Sequence, residues 1–323
     1  MDVVSVRLFG KFETQRNDCV LKGFHAARIR ELFSYLLVYR NRVHSREGLA
    51  AVFWSDVPSA HSKKYLRQAL WQLQGAFEFD LPGDHSPLSV DSTWVGLNAG
   101  PGLWLDVAHF EEAVGSAQGI AGNHLRPEQA ARLQGAVDLY RGDLLEGCYQ
   151  DWCLFERERL QNSYLATLDK LMAYCERQGL FEEGLAHGAR ILRYDRARER
   201  THWQLMRLHY LAGDRTGALR QYQRCVDALR QELDVDPSAQ TLALRDQIRS
   251  DHPVASVDSG KHHSGNAMSA PGALPEILTP LKRLRMVVAE AERRAQQEIA
   301  SIESELSAPL SSTGPPPLKP LEC

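Results

Sequence analysis

A stretch without acidic residues at positions 57–77 carries side chains that could contact nucleic acid. Arginine can pair with guanine through two hydrogen bonds, glutamine can pair with adenine, and lysine suits phosphate oxygens. The candidate contact residues of this stretch are Lys63, Lys64, Arg67, Gln68, Trp71 and Gln74. A solvated basic helix face would have the same composition, so the surrounding elements have to distinguish the two interpretations.

Apolar spacing predicts that these residues lie on the outer and flanking faces of a helix over residues 60–77. Its inward residues, three and four positions apart, are Leu66, Ala69, Leu70, Leu73 and Phe77. Before it, alternating apolar and polar residues predict strands within 3–22, and helical spacing predicts a first helix over 26–40. A short second helix begins at Ser45, and 88–97 predicts a hairpin. Strands, three helices and a hairpin in this order predict a winged helix-turn-helix whose third helix enters the major groove.

Residues at the start of the second helix add candidate phosphate contacts. Ser45 is a good N-cap, and the free amides at this helix start can bind a phosphate. Arg42 and Arg46 flank the same position and are interpreted as further DNA contacts, although a surface role fits Arg42 equally well. The hairpin region 86–97 contains no Lys or Arg, which argues against an arginine in the minor groove.

The overall composition of the 323 residues is ordinary for a soluble protein, with a formal net charge of −3. Residues 1–98 hold 12 Lys and Arg against 10 Asp and Glu, so only this third leans basic. No apolar stretch approaches the ~20 residues of a membrane helix, and the N-terminus lacks a signal-peptide pattern. We therefore expect a cytoplasmic, nucleoid-associated protein without membrane contact.

The sequence lacks the common motifs of enzymes, cofactor sites and metal sites. It contains no Gly-x-x-x-x-Gly-Lys-Ser/Thr, His-Glu-x-x-His or Gly-x-Ser-x-Gly pattern. Its six cysteines include no Cys-x-x-Cys pair, and in a cytoplasmic chain they are expected to be reduced. We expect no enzymatic activity, no cofactor and no metal.

Residues 105–249 have helical periodicity almost throughout and repeat at an interval of 34 residues. This shift aligns Leu171 with Leu205 and Gly179 with Gly213. Thirty-four residues is the period of the tetratricopeptide repeat, and the two glycines fall where its helix-turn-helix unit needs a tight turn. A generic helical bundle is the alternative interpretation.

Composition and periodicity divide the chain into five segments. They are a winged helix-turn-helix at 1–98, a helical repeat domain at 99–250, a linker at 251–280, an amphipathic helix at 281–307 and a disordered tail at 308–323. The narrow apolar stripe of the amphipathic helix cannot be buried by that helix alone. We expect it to dock on the helical repeats rather than pair with a second chain, and the oligomeric state stays open.

Several motifs of the helical part are more specific than its periodicity. They are LDVAHFE at 105–111, LYRGDLLEG at 139–147, ERERL at 156–160 and ELDVDP at 232–237. Together with the N-terminal order of elements, they resemble the SARP-type bacterial transcriptional regulators over residues 3–250. The resemblance implies an OmpR/PhoB-like winged helix followed by a bacterial transcriptional activation domain, a mainly α fold with a small β component.

The same resemblance implies sequence-specific binding to promoter DNA, usually as a dimer, and activation by contact with RNA polymerase. In OmpR-like winged helices, the loop between the second and third helices reaches the transcription machinery, which implies that role for Ser55, Asp56 and Val57. Gln74 departs from the arginine usual in the family. This departure and the uncharged hairpin favour an alternative, a tetratricopeptide-like interaction scaffold whose winged helix no longer binds DNA. The sequence identifies no ligand.

Overall fold

The chain up to residue 250 is largely described by the structure, a computed structural model. The described residues are 3–16, 19–21, 24, 26–78, 88–97 and 102–250. The predicted linker at 251–280, the amphipathic helix at 281–307 and the tail at 308–323 lie outside the described residues.

The N-terminal part combines short strands with three helices, in the order that the sequence predicts. Its strands are β1 (Val4–Arg7), β2 (Glu13–Arg16), β3 (Cys19–Val20), β4 (His44–Ser45), β5 (Leu88–Val90), β6 (Trp94–Leu97) and β7 (Leu103–Leu105). Its helices are α1 (Ala27–Val38), α2 (Arg46–Phe53) and α3 (Ser59–Glu78). One sheet has the strand order β3-β2-β1-β7, and the other has the order β4-β6-β5.

The first sheet pairs the first strand of the chain, β1, with the late strand β7. Strands β1 and β2 are antiparallel, and the side chains of Val4 and Val6 are buried on one face, as the alternating pattern requires. On the other edge of β1, strand β7 pairs in parallel, with Val6 opposite Leu105. Because β7 follows the hairpin and precedes the helical part, this pairing ties the two parts of the chain together.

Helix α3 is held by its apolar face. Leu66, Leu70 and Leu73 are almost completely buried, and Ala69 and Ala76 are buried beside them. This confirms the predicted inward residues, except for Phe77, whose side chain is outside the described set. Since α3 packs against α1 and α2, its other side is free to face solvent.

The helical part continues to residue 249. Its helices are α4 (Asp106–Ser116), α5 (Pro127–Leu139), α6 (Asp151–Gln178), α7 (Phe181–Tyr194), α8 (Glu199–Leu211), α9 (Arg215–Leu233) and α10 (Ala239–Arg249). Gly179 ends α6 with a φ of 72°, and Gly213 follows α8 with a φ of 82°. Positive φ favours glycine, so both turns agree with the sequence prediction.

Glycine is also required where α7 meets α8. A Cβ atom at Gly188 would lie 2.5 Å from Cδ2 of Leu205. No Cβ contact of that length is tolerated, so the missing side chain is what lets the two helices approach.

The buried carboxylate of Asp106 joins the N-terminal sheet to the helical part. One oxygen accepts the amide of Phe9 at 2.9 Å, and both oxygens accept the amide of Leu8 at 2.9 and 3.0 Å. The Val107 amide, in the first turn of α4, donates to the same carboxylate at 2.7 Å. Burial raises the pKa of the Asp106 carboxyl, and these backbone amides act against that shift by favouring the ionised form.

A second connection pairs residues 8–10 with the loop before α6. The amide of Leu145 donates to the carbonyl of Leu8 at 2.8 Å, and that of Gly10 donates to the carbonyl of Asp143 at 2.9 Å. Leu145 has a φ of 48°, an unfavourable value for a leucine. The guanidinium of Arg157 donates to the carbonyls of Leu144 and Leu145, both at 3.0 Å, and so holds this loop in place.

One hydrophobic core therefore extends through both parts. It begins with Val4 in β1, includes Leu70 of α3 and Phe110 of α4, and reaches Leu208 in α8. The predicted fold class, mainly α with a small β component, is confirmed.

Replacing Asp106 by alanine is expected to lower the free energy of unfolding by at least about 3 kcal/mol. The amides of Leu8, Phe9 and Val107 would lose their acceptor inside the core, and each unpaired buried group costs about 1–3 kcal/mol. Urea unfolding measures the change. The matched variant Asp106→Asn keeps one acceptor oxygen and should lose less. A loss under about 1 kcal/mol for Asp106→Ala would contradict this role.

Histidine 187 in α7 makes stability depend on pH. It is buried, its Nδ1 has no hydrogen-bond partner among the described residues, and burial lowers its pKa from 6.5 to about 4. A lowered histidine pKa contributes stability above the unfolded value of 6.5, which is lost as pH falls towards 4. The free energy of unfolding should therefore fall by up to about 1.4 kcal/mol per pH unit in this window.

Urea unfolding at pH 7, 6 and 5 tests this prediction. His187→Gln should reduce the slope, whereas replacing the exposed His124 by glutamine should leave it unchanged. Equal slopes for the His187 variant and the parent protein would rule out this origin of the pH dependence.

Candidate nucleic-acid interface

The solvent-facing side of α3 presents the residues that the sequence singled out. Lys64, Arg67, Gln68 and Trp71 are all exposed, and Trp71 has 73% of its surface accessible. Their spacings of three and four place them on one helix face, about 10 Å long from first to last at ~1.5 Å per residue. Trp71 is thus among the most exposed large apolar side chains of the described residues.

Lysine 63 is turned towards α2 instead. Its Nζ lies 2.6 Å from Oε1 of Glu47, and both side chains are largely exposed. The hydrogen bond from Lys63 lowers the pKa of the Glu47 carboxyl. The Glu47 carboxylate offsets the charge of Lys63. Because the ion pair is exposed, it adds little to stability. Gln74 is half-buried at the far end of the helix.

The start of α2 is capped and tied to the hairpin. The Ser45 hydroxyl accepts the amide of Gly48 at 3.0 Å, as expected for an N-cap. The backbone amide of Arg46 donates to the carbonyl of Thr93 at 2.9 Å, and its guanidinium donates to the carbonyl of Asp91 at 2.9 Å. The sequence predicts a DNA contact for Arg46. In the structure, its guanidinium instead hydrogen-bonds to the hairpin.

Arginine 42 also makes contacts within the protein. Its guanidinium lies 4.3 Å from the ring centre of Tyr39, and its Nη2 donates to the Tyr35 hydroxyl at 3.3 Å. The guanidinium is thus positioned by stacking between α1 and β4. The side chain as a whole remains exposed.

The hairpin turn between β5 and β6 carries a negative group. The carboxylate of Asp91 accepts the amides of Thr93 and Trp94, both at 2.6 Å, and these bonds lower the pKa of its carboxyl. Trp94 is 47% exposed next to this turn. The hairpin therefore offers an aromatic ring rather than a cation.

The loop between α2 and α3 borders a separate groove. Ser55 and Asp56 are exposed, and Val57 is half-buried. The Ser55 hydroxyl donates to the Asp56 carboxylate at 3.2 Å. The groove has a volume of about 520 Å³ and is lined by Glu47, Ala50, Ala51, Trp54, Ser55, Val57, Ser59, Ser62 and Lys63.

The structure thus gathers four of the predicted residues on one face and separates the others. Sequence reasoning missed Glu47, which binds Lys63, and Trp94, the exposed ring of the hairpin. Trp94 could have been found from its position, since a tryptophan in a short exposed hairpin has little core to enter. The Glu47 contact joins two helices and has no sequence signal.

The ranges that the structure describes hold neither a metal-ligand cluster nor a membrane-spanning helix. No group of three or more His, Cys, Asp or Glu residues is placed to hold a metal ion there. In the same ranges, no helix is both long and apolar enough to cross a membrane.

Residues 105–249 match the family model of the bacterial transcriptional activator domain. This part of the chain is similar to such domains. The match begins at Leu105, one residue before Asp106, and ends with α10. The motifs LDVAHFE and LYRGDLLEG lie within the matched residues.

The fold is similar to that of the solved structure of Mycobacterium tuberculosis EmbR in complex with a low-affinity phosphopeptide. The TM-score is 0.60 at 17% sequence identity, over 79% of this chain and 67% of that chain. No curated protein matches the sequence. The domain match covers less than half of the chain, and the similarity to EmbR shows a shared fold.

Proposed function

We propose that the protein binds specific DNA sequences near promoters and activates transcription by contacting RNA polymerase. The observation that carries the proposal is the outer face of α3, where Lys64, Arg67, Gln68 and Trp71 are exposed together. No acidic residue occurs between Val57 and Phe77 to oppose phosphate. The site of action would be the nucleoid in the cytoplasm.

The dimensions of this face suit the major groove. Its length of about 10 Å corresponds to about three base pairs at ~3.4 Å each. Arg67 at its centre can reach guanine and Gln68 can reach adenine, while Lys64 lies nearer the helix start, where the backbone phosphates pass. Trp71 provides an apolar surface for a thymine methyl group.

The modest positive charge implies weak binding by one copy. The Lys63 charge is offset by Glu47, and the hairpin presents Asp91 instead of a cation. Since phosphate contacts dominate affinity, we propose that two copies bind neighbouring sites, with the tetratricopeptide-like repeats of 99–250 serving self-association or partner binding.

The same uncharged hairpin favours a second candidate function. In that alternative, the winged helix at 1–98 has lost DNA binding and the protein acts as an interaction scaffold. Selection from a random DNA pool, followed by gel shifts on the selected sequence and on the DNA upstream of the gene, distinguishes the two. Failure to enrich any sequence would favour the scaffold.

Replacing Arg67 by alanine is expected to weaken binding to the selected sequence by about 1–3 kcal/mol, because a bidentate contact to a base would be lost. Binding to unrelated DNA should change much less. Lys64→Ala should instead weaken all sequences alike and flatten the dependence of affinity on salt. Gel shifts at several salt concentrations measure both effects.

Arg132→Ala is the matched control, since this exposed arginine lies on α5. It should leave affinity and salt dependence unchanged. If the α3 variants behave like the Arg132 control, α3 is not the recognition helix.

Substitutions in the loop between α2 and α3 are expected to separate activation from DNA binding. Asp56→Ala and Val57→Ala change side chains of the loop, of which Val57 lines the 520 Å³ groove, and leave the outer face of α3 intact. Transcription from a target promoter in vitro should fall, while the gel-shift affinity stays within about twofold. A parallel loss of affinity would show that the loop has no separate contact role.

A further inference from the structure

Two cysteines meet at the start of α6, where the sequence shows no cysteine motif. Cys153 lies in the first turn and is completely buried, and Cys148 precedes the helix and is half-buried. Both are free thiols. Short backbone bonds fix the turn between them, from the Cys148 amide to the carbonyl of Leu145 at 2.9 Å and from the Cys153 amide to that of Gln150 at 2.8 Å.

One guanidinium nitrogen, Nη2 of Arg157, contacts both cysteines. Nη2 of Arg157 donates to the carbonyl oxygen of Cys148 at 2.9 Å and lies 3.9 Å from Sγ of Cys153. The Cys148 thiol also interacts with the Cys153 thiol. Neighbouring sulfurs beside a guanidinium are the arrangement in which one thiol can react and the other can resolve the product.

We propose that Cys148 and Cys153 form a peroxide-reactive dithiol that closes to an intramolecular disulfide. Cys148, the less buried of the two residues, reacts with the oxidant, and the fully buried Cys153 is the resolving cysteine. The oxidant is a hydroperoxide, either hydrogen peroxide or an organic one.

The reactivity of the two sulfurs differs because of their contacts. The interaction with Cys153 lowers the pKa of the Cys148 thiol, with a smaller contribution from Arg157, and outweighs the effect of burial. The same contact and burial raise the pKa of Cys153. Since the thiolate is the nucleophile, Cys148 reacts first.

The reaction is balanced in two steps. The Cys148 thiolate attacks one peroxide oxygen, so that an S–O bond forms, the O–O bond breaks, and the departing oxygen takes a proton and leaves as water or alcohol. The Cys153 sulfur then attacks the sulfenic acid, an S–S bond forms, and the hydroxyl leaves with the thiol proton as water. The dithiol loses two electrons, which reduce the peroxide.

The other described cysteines do not share this arrangement. Burial raises the pKa of Cys175 to about 11 and that of Cys225 to about 12. Cys19 is exposed on the edge strand β3. None of these three has a second thiol among its contacts in the described ranges.

A disulfide between Cys148 and Cys153 would change contacts in the loop before α6. The Cys153 thiol donates to the carbonyl of Leu144 at 3.8 Å, within the loop that pairs with residues 8–10. A disulfide removes that donor and alters the position of Arg157 next to the same loop. Oxidation is therefore expected to loosen the connection between the N-terminal sheet and the helical part.

Mass spectrometry of the full chain tests the proposal directly. Trypsin releases residues 142–157, a peptide that contains Cys148 and Cys153 and no other cysteine. After hydrogen peroxide and alkylation of remaining thiols, this peptide should lose the mass of two hydrogen atoms and escape alkylation. Cys19→Ser, the control, should behave identically.

Single variants identify the order of reaction. Cys153→Ser should accumulate a sulfenic acid at Cys148 that dimedone traps, and Cys148→Ser should form neither product. Full alkylation of both cysteines in the parent protein after peroxide treatment would overturn the proposal, whatever the variants do. Unchanged hydrogen exchange at the amides of Gly10 and Leu145 in the oxidised protein would overturn its effect on the junction.

Discussion

A buried carboxylate that accepts backbone amides from two parts of the chain is the interaction on which the architecture depends. Asp106 receives the amides of Leu8 and Phe9 at the end of β1 and that of Val107 at the start of α4. Because a carboxylate without donors could not remain in such a place, strand and helix have to meet there. Their meeting also allows residues 8–10 to pair with the loop before α6.

The remaining contacts between the two parts follow from this placement. Trp152 of α6 packs against Tyr35 of α1 with ring centres 5.2 Å apart. Glu111 of α4 binds Arg40, just after α1, and Arg159 of α6, so that an ion-pair cluster lies beside the aromatic contact. Helix α1 therefore packs against α3 on one side and contacts the helical part on the other.

The candidate interface has few free charges and an exposed aromatic side chain. The Glu47 carboxylate offsets Lys63, Arg46 braces the hairpin, and Arg42 stacks on Tyr39. Lys64 and Arg67 stay exposed beside Trp71. If this face binds DNA as proposed, its few free cations leave each copy with few phosphate contacts, so the number of bound copies matters more.

Local sequence patterns predict the order of elements, the inward residues of α3 and the glycine turns after α6 and α8, because periodicity and backbone restrictions act locally. They also predict that Lys64, Arg67, Gln68 and Trp71 share one face, since helical spacing fixes that relation. Tertiary packing is needed to pair Lys63 with Glu47, to join β7 to β1, and to bring Cys148 and Cys153 to Arg157. These contacts depend on how separate elements pack, and their geometry is set by the buried core rather than by any local pattern.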